Sequence, residues 1–431
     1  MAEHHREART GLRHVHADPV RLNETMRQCG HACPLASRYR HASYTLSMVE
    51  LRIPFFRPAI DEDDIAAVAE TLRSGWLTSG PNLREFEREL AAACGAPYVN
   101  VVNSCTAALH LCLRAWGIGP GDEVIVPTYT FSATATVVVH CGAQPVLVDV
   151  RERDANLDPA AFERAITPRT KAVIPVHFAG EPCDMDAILA IACPRRIRVL
   201  EDAAHAIGAA YRGRPIGSIG DATAFSFYAT KNITTGEGGA LATFDEALSN
   251  RVRVLTLHGM TKDAWNRYDA GGSWRYDIVE FGFKDNLTDL AAALGRRQLA
   301  KLERLTEART RIAMRYIANL RDEPLLTLPA WDEANRHAWH IFMVRVDNQR
   351  SPVPRDDVIR RLAERGIGTS VHFIPLHYHT AYRRLGYRPG QFPVAERIFE
   401  SAISLPLFPT MTDADVDYVC ENLREILHTP A

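Results

Sequence analysis

The chain has 431 residues, of which 46% are hydrophobic and 24% charged, and its formal net charge is −2 at pH 7. This length favours two packed domains over a single hydrophobic core, and the nearly balanced charge excludes a protein that binds nucleic acid through its overall field. No apolar run reaches the roughly 20 residues of a membrane-spanning helix. The nine cysteines are scattered through apolar stretches, which favours reduced thiols. We therefore expect a cytoplasmic protein that binds neither nucleic acid nor a membrane.

The first fifty residues differ from the rest of the chain. They are rich in arginine and histidine and lack apolar residues at helical spacing, so residues 1–50 are predicted to form a disordered extension. Cys29, His31 and Cys33 lie close together there, but no second pair of ligands follows at the spacing of a zinc site. Metal binding by this cluster is not expected.

Regular secondary structure is predicted from Ile53 onward. The first helix begins at Asp61 and ends at Gly75. Short runs rich in valine and isoleucine then alternate with helical stretches, and these runs are YVNVV, EVIVP, PVLVDV, KAVIPVHF and RVLED. Such alternation is typical of a mostly parallel sheet with helices on both faces. It predicts a large α/β domain over residues 51–300.

The order of the elements changes after residue 300. A long charged helical stretch, LGRRQLAKLERLTEARTRIAMRYIANL, leads into the segment HAWHIFMVRVD and a helix near DDVIRRLAERG. This pattern predicts a smaller C-terminal domain over residues 301–431, packed firmly on the first because no flexible linker separates the two. Ligands are expected at the carboxyl ends of the strands that face this junction.

Four segments place polar groups directly after predicted strands, and these are NSCTAALH, EDAAHA, FSFYATKN and TTGEGG. In the first segment, Ser104, Cys105 and Thr106 open a helix, and the free N–H groups and dipole of a helix start can hold a phosphate. The alternative is that Ser104 is only a helix cap. The segment by itself leaves both interpretations open.

The second segment ends a buried strand with two carboxylates, Glu201 and Asp202. An interior carboxylate needs a cationic or hydrogen-bonding partner. A protonated pyridine ring would supply one, and a ring paired with Asp202 would stay cationic and accept electrons. His205, three residues further on, is expected to lie against that ring or its hydroxyl, the alternative being a histidine packed near a helix start.

Lys231 follows a strand with two distinct faces and precedes the glycine-rich segment TTGEGG. Its aromatic and small neighbours are expected to desolvate the amine and lower its pKa, which would make it a nucleophile. The alternative is a solvated surface lysine. That alternative is disfavoured because few lysines occur in the first half of the chain and this one lies in a long run of low charge. The glycines then allow a close backbone approach or a turn into the hairpin strand GALATF.

Motifs for other cofactors are missing from the sequence. There is no GxGxxG at a strand-to-helix turn, no GxxxxGK[ST], no HExxH and no pair of CxxC motifs. His372, His377 and His379 cluster in SVHFIPLHYHT but have no acidic fourth ligand nearby in the sequence. They are predicted to contact substrate or solvent, not a metal ion.

Together these segments make the chain resemble the DegT/DnrJ/EryC1/StrS family of pyridoxal 5'-phosphate (PLP)-dependent sugar aminotransferases. The resemblance runs from about Ile53 to the C-terminus and also includes IDEDDIAAVAETLRSGWLTSGP, GPGDEVIVPTYTFSATA, VIPVHFAGEPCDMDAI, FKDNLTDLAAALGRRQL and ISLPLFPTMTD. It implies the PLP-dependent transferase fold type I. That fold is α/β, with a mostly parallel seven-stranded sheet covered by helices and a smaller C-terminal α+β domain.

The resemblance also implies roles for single residues. Lys231 matches the lysine that binds PLP as a Schiff base and that then moves a proton as general acid and base. Asp202 matches the partner of the pyridinium nitrogen, and His205 matches the neighbouring position, which is His or Gln in the family. These three residues are the expected catalytic set.

Further positions match the family's cofactor-binding residues. Cys105, Thr106 and Ser226 match phosphate-binding positions, next to Ser104 at the helix start. Phe131 matches an aromatic ring that stacks on the cofactor. Asn286, in KDNLTD, resembles a residue that reaches the phosphate from the partner subunit, which implies a homodimer with active sites at the interface. Cys105 stands where the family usually has Ala or Gly, which matters little if only its backbone N–H touches the phosphate.

The implied reaction transfers an amino group from glutamate, which becomes 2-oxoglutarate, to a nucleotide-linked keto sugar. The segment KNITTGEGG resembles members that act at sugar carbon 4. Two alternatives stay open. One is a PLP-dependent sugar dehydratase, although such relatives carry His in place of Lys231. The other is a non-catalytic regulator or scaffold that keeps the fold without the cofactor.

Overall fold

The computed structural model describes residues 51–261 and 276–429. The extension over residues 1–50, with its cluster of Cys29, His31 and Cys33, lies outside the described residues. The seven described cysteines are all free thiols. No helix in the described part of the chain is long and apolar enough to cross a membrane. The cytoplasmic location stays a prediction.

A seven-stranded sheet is formed by strands that lie between residues 98 and 243. Its strands are β1 (Tyr98–Val102), β2 (Glu123–Pro127), β3 (Gln144–Val148), β4 (Thr170–Val173), β5 (Arg198–Ala203), β8 (Ala222–Ser226) and β9 (Gly239–Thr243), while β6 (Ala210–Tyr211) and β7 (Arg214–Pro215) form a separate hairpin. The order in the sheet is β1-β9-β8-β5-β4-β2-β3. Neighbours pair in parallel except β9, which is antiparallel to β1 and β8. The expected mostly parallel, seven-stranded sheet is confirmed.

Helices cover both faces of this sheet. They are α1 (Glu62–Ser74), α2 (Pro81–Cys94), α3 (Cys105–Ala115), α4 (Ala133–His140), α5 (Pro159–Ala165), α6 (Met185–Ala192), α7 (Glu246–Thr256) and α8 (Asp289–Ala300). Within β2, the side chains of Val124 and Val126 join one buried apolar cluster and that of Ile125 joins another on the opposite face. Strands buried on both faces read as continuous apolar runs, which is why the sequence predicts them.

Local signals in the sequence set the helix ends. In α1, the side chain of Asp61 accepts a hydrogen bond from the N–H of Asp64, and Asp64 bonds back to the N–H of Asp61, which forms a capping box. Gly75 ends the helix in the left-handed conformation, at φ +75°. The predicted start and end of this helix are confirmed.

A second, three-stranded antiparallel sheet follows in the later part of the chain. It contains β10 (Leu326–Thr327), β11 (Phe342–Val346) and β12 (Ala402–Leu405), with helices α9 (Leu302–Leu320), α10 (Arg355–Glu364), α11 (Thr380–Arg384), α12 (Pro393–Ser401) and α13 (Asp413–His428). A third apolar cluster, formed almost wholly by residues after 300, packs these elements together. The predicted domain boundary at residue 300 falls between α8 and α9 and stays a prediction.

Candidate active site

A cavity of about 470 Å³ lies at the carboxyl ends of the parallel strands. Eight of the nine residues that the sequence analysis proposes for the site line it, and these are Ser104, Cys105, Thr106, Phe131, Asp202, His205, Ser226 and Lys231. The parallel pairing of β5 with β8 brings their carboxyl ends to the same edge of the sheet. Segments far apart in the chain therefore meet at one point, as an open α/β sheet requires.

The start of α3 forms one wall of this cavity. Ser104 is the N-cap residue, and its Oγ accepts a hydrogen bond from the N–H of Ala107 at 3.1 Å. The hydroxyl therefore caps the helix, as the alternative interpretation of Ser104 states, while the residue also lines the cavity. The N–H groups of Cys105 and Thr106 belong to the first turn, which has no intrahelical partners for them. This wall can bind an anion such as a phosphate.

Gly239 allows the strand β9 to lie directly against this helix start. A Cβ atom at Gly239 would fall 2.4 Å from the backbone nitrogen of Cys105, closer than real Cβ contacts allow. Gly239 pairs with Ser226 at the end of β8, and the buried Ser226 also lines the cavity. The glycine-rich segment thus gives the close backbone approach that the sequence predicts.

Asp202 supplies a buried carboxylate on the cavity wall. Its Oδ2 accepts a hydrogen bond from Thr134 Oγ1 at 2.8 Å, and its Oδ1 accepts one from the N–H of Ala204 at 3.1 Å. Burial raises the pKa of Asp202, and these two bonds oppose the rise. In the described part of the chain Asp202 has no ion pair, so a cationic ligand would complete its surroundings.

His205 lies beside Asp202 in a defined tautomer. Its Nδ1 accepts a hydrogen bond from the N–H of Ala179 at 3.3 Å, so the proton of the neutral ring is on Nε2. Burial lowers the pKa of His205 well below its usual range, and the nearby Lys231 and His372 lower it further. The imidazole is therefore neutral and can donate one hydrogen bond through Nε2.

Lys231 lies in the loop between β8 and β9. Strand β8 ends at Ser226, and the N–H of Lys231 bonds to the carbonyl of Tyr228 at 2.9 Å. Burial lowers the pKa of the Lys231 amine to about 8, while Cys105 and Asp202 oppose the fall. Near neutral pH a sizeable fraction of this amine is therefore uncharged and nucleophilic.

Phe131 lies on the cavity wall just before α4. Its ring is 61% exposed and lies 6.2 Å from the ring of Phe373. An exposed aromatic ring on a cavity wall can stack on a planar ligand.

Asn286 is the one proposed residue that does not line the cavity. Its amide donates to Ser79 Oγ at 2.8 Å, its carbonyl oxygen contacts Lys284, and its backbone bridges to Val102 at the end of β1. Its predicted role at the phosphate of a partner subunit stays a prediction.

The histidines of SVHFIPLHYHT lie in different surroundings in the structure. His372 lines the cavity, which agrees with the expected contact to substrate. His377 does not, because it is fully buried between Thr128 Oγ1 at 2.8 Å and the acidic side chain of Glu396 at 2.9 Å. The expectation that His377 contacts substrate or solvent is wrong. No group of His, Cys, Asp and Glu suited to a metal ion occurs within residues 51–261 and 276–429.

Several residues that were not predicted as site residues also line the cavity, among them His340, Tyr228 and Glu237. His340 lies in HAWHIFMVRVD, a segment that carries only a strand signal in the sequence. Tyr228 and Glu237 lie inside the quoted segments around Lys231, so their positions could have been noticed. Only the fold shows that His340 meets the loop of Lys231.

The residues of the cavity fit PLP in their chemistry. A helix start and a serine hydroxyl suit the phosphate, a buried carboxylate suits a protonated pyridine nitrogen, and an amine of lowered pKa suits the aldehyde. Because Gly239 has no side chain, β9 can lie directly against the start of the helix. The phosphate, the pyridine nitrogen and the aldehyde of the cofactor thus each have a matching partner in the cavity.

Comparisons with known proteins agree with this site. The family model described as the DegT/DnrJ/EryC1/StrS aminotransferase family matches residues 58–424. The spore coat polysaccharide biosynthesis protein SpsC of Bacillus subtilis is 52% identical over 377 residues, which cover 87% of this chain and 97% of SpsC.

Solved structures show the same fold. The putative sugar aminotransferase Spr1654 from Streptococcus pneumoniae, in its PMP form, has a TM-score of 0.82 and 39% identity over 87% of this chain and 98% of its own. Helicobacter pylori PseC, an aminotransferase involved in the biosynthesis of pseudoaminic acid, has a TM-score of 0.81 and 28% identity over 87% of this chain and 99% of its own. A PLP form of Spr1654 matches equally well, with a TM-score of 0.82.

Proposed function

Because this chain belongs to the DegT/DnrJ/EryC1/StrS aminotransferase family and is a PLP-dependent sugar aminotransferase, we propose that it transfers the amino group of glutamate to carbon 4 of a nucleotide-linked keto sugar. The observation that carries the proposal is the convergence of the start of α3, Asp202 and Lys231 on one cavity. The resemblance of KNITTGEGG to family members acting at carbon 4 supports the position on the sugar.

Different residues of the cavity would bind different parts of PLP. The N–H groups of Cys105 and Thr106 and the hydroxyl of Ser226 would hold the phosphate of PLP. Asp202 would hold its protonated pyridine nitrogen, and the ring of Phe131 would stack on it. When bound, PLP supplies an electrophilic carbonyl carbon and a ring that accepts electrons.

Lys231 carries the proton transfer in this proposal. As a free amine, its Nζ would take the proton from the carbon of the donor that carries the amino group. The same Nζ would then give a proton to a different atom within the same half-reaction. The return of the amino group to a keto sugar reverses these proton movements. The lowered pKa of Lys231, about 8, suits a group that must both accept and give up a proton near neutral pH.

The alternatives from the sequence are less well supported. A dehydratase is disfavoured because Lys231 is present where those relatives carry His. A scaffold without cofactor is disfavoured because the cavity keeps a buried carboxylate without an ion pair and a lysine of lowered pKa. Neither feature benefits the stability of a protein that binds nothing.

We also propose a homodimer whose active sites lie at the interface. Between the start of the second described range and α8, the side chains of Ile278, Val279 and Phe281 are 55%, 56% and 96% exposed. Contiguous exposed apolar side chains favour an interaction surface. Asn286 follows this apolar segment closely in the chain, which supports its predicted role at the partner's phosphate.

The visible absorption spectrum tests the cofactor and the nucleophile together. Wild-type protein is expected to bind added PLP covalently and to change its spectrum on addition of glutamate, whereas Lys231→Ala should do neither. Lys171→Ala, at an exposed lysine of β4 outside the cavity, is the matched control and should behave like wild type. Wild-type protein that binds no PLP would contradict the proposal.

The sugar position is tested by mass spectrometry. Nucleotide-linked 4-keto and 3-keto sugars are incubated separately with the enzyme and glutamate, and replacement of the ketone by an amine is measured. Amination of the 4-keto sugar alone supports the proposal. Amination of the 3-keto sugar alone would contradict the proposal that carbon 4 is aminated. Activity with other amino acids but not with glutamate would contradict the proposal that glutamate is the amino donor.

A further inference from the structure

His340 lies in the loop before β11 and lines the same cavity as Lys231. Its ring centroid is 4.4 Å from that of His205. The later part of the chain therefore contributes an imidazole to the wall that carries the proposed catalytic residues. His340 takes no part in the binding and proton-transfer steps proposed above.

The hydrogen bonds of Asn232 fix the tautomer of His340. The Nδ2 of Asn232 donates to the carbonyl of Ala338 at 2.7 Å, so the amide oxygen of Asn232 is the atom that faces Nδ1 of His340, at 3.1 Å. A carbonyl oxygen can only accept, so Nδ1 of His340 carries the proton. The Nε2 of His340 is then a hydrogen-bond acceptor.

His205 and His340 therefore have opposite tautomers. His205 accepts at Nδ1 from the N–H of Ala179 and has its proton on Nε2. His340 has its proton on Nδ1 and a lone pair on Nε2. Two adjacent imidazoles thus offer one donor and one acceptor, and the acceptor suits an ammonium group.

The charged groups around His340 keep it neutral. The titratable groups that act on it are His205, Lys231, Arg309 and His372, and none of them is a carboxylate. Burial lowers the pKa of His340 well below its usual range, and those neighbours lower it further. A neutral imidazole keeps its acceptor lone pair throughout the working pH range.

We propose that Nε2 of His340 accepts a hydrogen bond from the ammonium form of Lys231 and holds that side chain in place for proton transfer. His340 is then a positioning residue for Lys231, and Asn232, the next residue in the chain after Lys231, sets its tautomer. This inference rests on the proposed function of Lys231 as the residue that captures PLP.

The inference predicts the sign of a pKa change. An acceptor stabilises the ammonium form of Lys231, so its removal lowers the pKa of the amine. The other groups that face Lys231 are Cys105, Asp202, His205 and His372. They are unchanged in the variants below, so a shift reports on His340.

The test measures how fast apoprotein captures PLP covalently as a function of pH. The reaction is followed by absorbance, and the product is reduced with borohydride and located on the Lys231 peptide by mass spectrometry. Wild-type capture should rise with a midpoint near pH 8, the pKa of Lys231. In His340→Leu the midpoint should fall by about one pH unit, the size of shift expected from one hydrogen bond to a charged group.

Two further variants separate this effect from loss of structure. His340→Gln keeps an acceptor oxygen, so its midpoint should stay closer to wild type. His337→Gln is the control, because His337 is buried in the same loop, accepts from the N–H of Trp339 at 2.8 Å and does not line the cavity. It should leave the midpoint unchanged even if it lowers the melting temperature.

Each outcome decides the inference. A midpoint unchanged in His340→Leu, a rise instead of a fall, or an equal fall in His337→Gln would overturn it. The experiment needs only the capture of PLP, so it separates this inference from the sugar chemistry. A wild-type protein that captures PLP on Lys231 but aminates no keto sugar would refute the proposed substrate and leave the result for His340 intact.

Discussion

Asp202 is a buried carboxylate whose hydrogen-bond partners within the described residues are all neutral. Its oxygens accept from Thr134 and from the N–H of Ala204, and the thiol of Cys105 lies 3.9 Å from Oδ1. Burial and the nearby Asp202 raise the pKa of the Cys105 thiol well above its usual range, so this thiol stays protonated. The charge of Asp202 is thus left for a cationic ligand.

We expect Asp202→Asn to slow the half-reaction with glutamate while Lys231 still captures PLP. An amide cannot stabilise a protonated pyridine nitrogen, so the ring accepts electrons less well. The loss should be at least about 100-fold, as for other electrostatic groups at a reacting centre. Stopped-flow absorbance after addition of glutamate measures it.

Asp221→Asn is the control for this substitution. Asp221 accepts from the N–H of Val199 at 2.8 Å, near the amino end of β5 and far from the cavity along that strand. It should leave the rate nearly unchanged. An equal rate for Asp202→Asn and wild type would contradict the role of Asp202.

At the scale of elements, the contact between β9 and the start of α3 shapes the phosphate site. It exists because residue 239 has no side chain, since a Cβ there would lie 2.4 Å from atoms of both Ser104 and Cys105. The antiparallel pairing of β9 with β8 also fixes Ser226 opposite Gly239. This one glycine of β9 therefore sets the position of α3 relative to β8, the two elements that would hold the phosphate.

We expect Gly239→Ala to weaken PLP binding by at least about tenfold, equivalent to about 1.4 kcal/mol. The added methyl group must displace the first turn of α3. Pyridoxal, which lacks the phosphate, should lose much less affinity. Titrations with both compounds, followed by absorbance, measure the difference.

Gly119→Ala is the matched control, because the nearest atoms to a Cβ there are 3.9 Å away. It should bind both compounds like wild type. If Gly239→Ala weakened pyridoxal as much as PLP, the effect would not act through the phosphate site.

At the scale of the whole molecule, the site is built from segments at both ends of the described chain. Phe55 and Phe56 near its beginning and Leu407 near its end line the cavity with Lys231. In the proposed dimer the partner adds Asn286 at the phosphate. A symmetric pair of subunits would then share two composite sites.

We expect mixtures of two inactive variants, Lys231→Ala and Asn286→Ala, to regain activity after unfolding and refolding together. If Asn286 acts across the interface, each heterodimer contains one site with both native residues. Random assembly makes half of the dimers heterodimers, so activity should reach about a quarter of wild type. Steady-state amination assays measure it.

The same mixture contains its own control. If Asn286 acted within its own subunit, no site would combine both native residues and no activity would return. Each variant refolded alone gives the baseline, and a mixture that stays at this baseline would overturn the shared site.

The large sheet and most of the cavity residues could be predicted from the sequence. Buried strands covered on both faces read as apolar runs, helix caps are local, and the polar residues after parallel strands must meet at one edge. That is why Asp202, His205, Ser226 and Lys231 could be placed together from their positions in the chain. The capping role of Ser104 is one of two interpretations that the sequence leaves open, and the hydrogen bond from the N–H of Ala107 confirms it.

The contacts between distant segments could not be predicted and are seen only in the folded chain. The bond from His340 to Asn232 joins residues 108 positions apart, and the bond from His377 to Thr128 joins residues 249 positions apart. No local pattern encodes such pairs, because they depend on how the later elements pack on the large sheet. A hydrogen-bond partner then sets the tautomer of each ring, so the role of His340 as an acceptor follows from the fold and not from its place in the sequence.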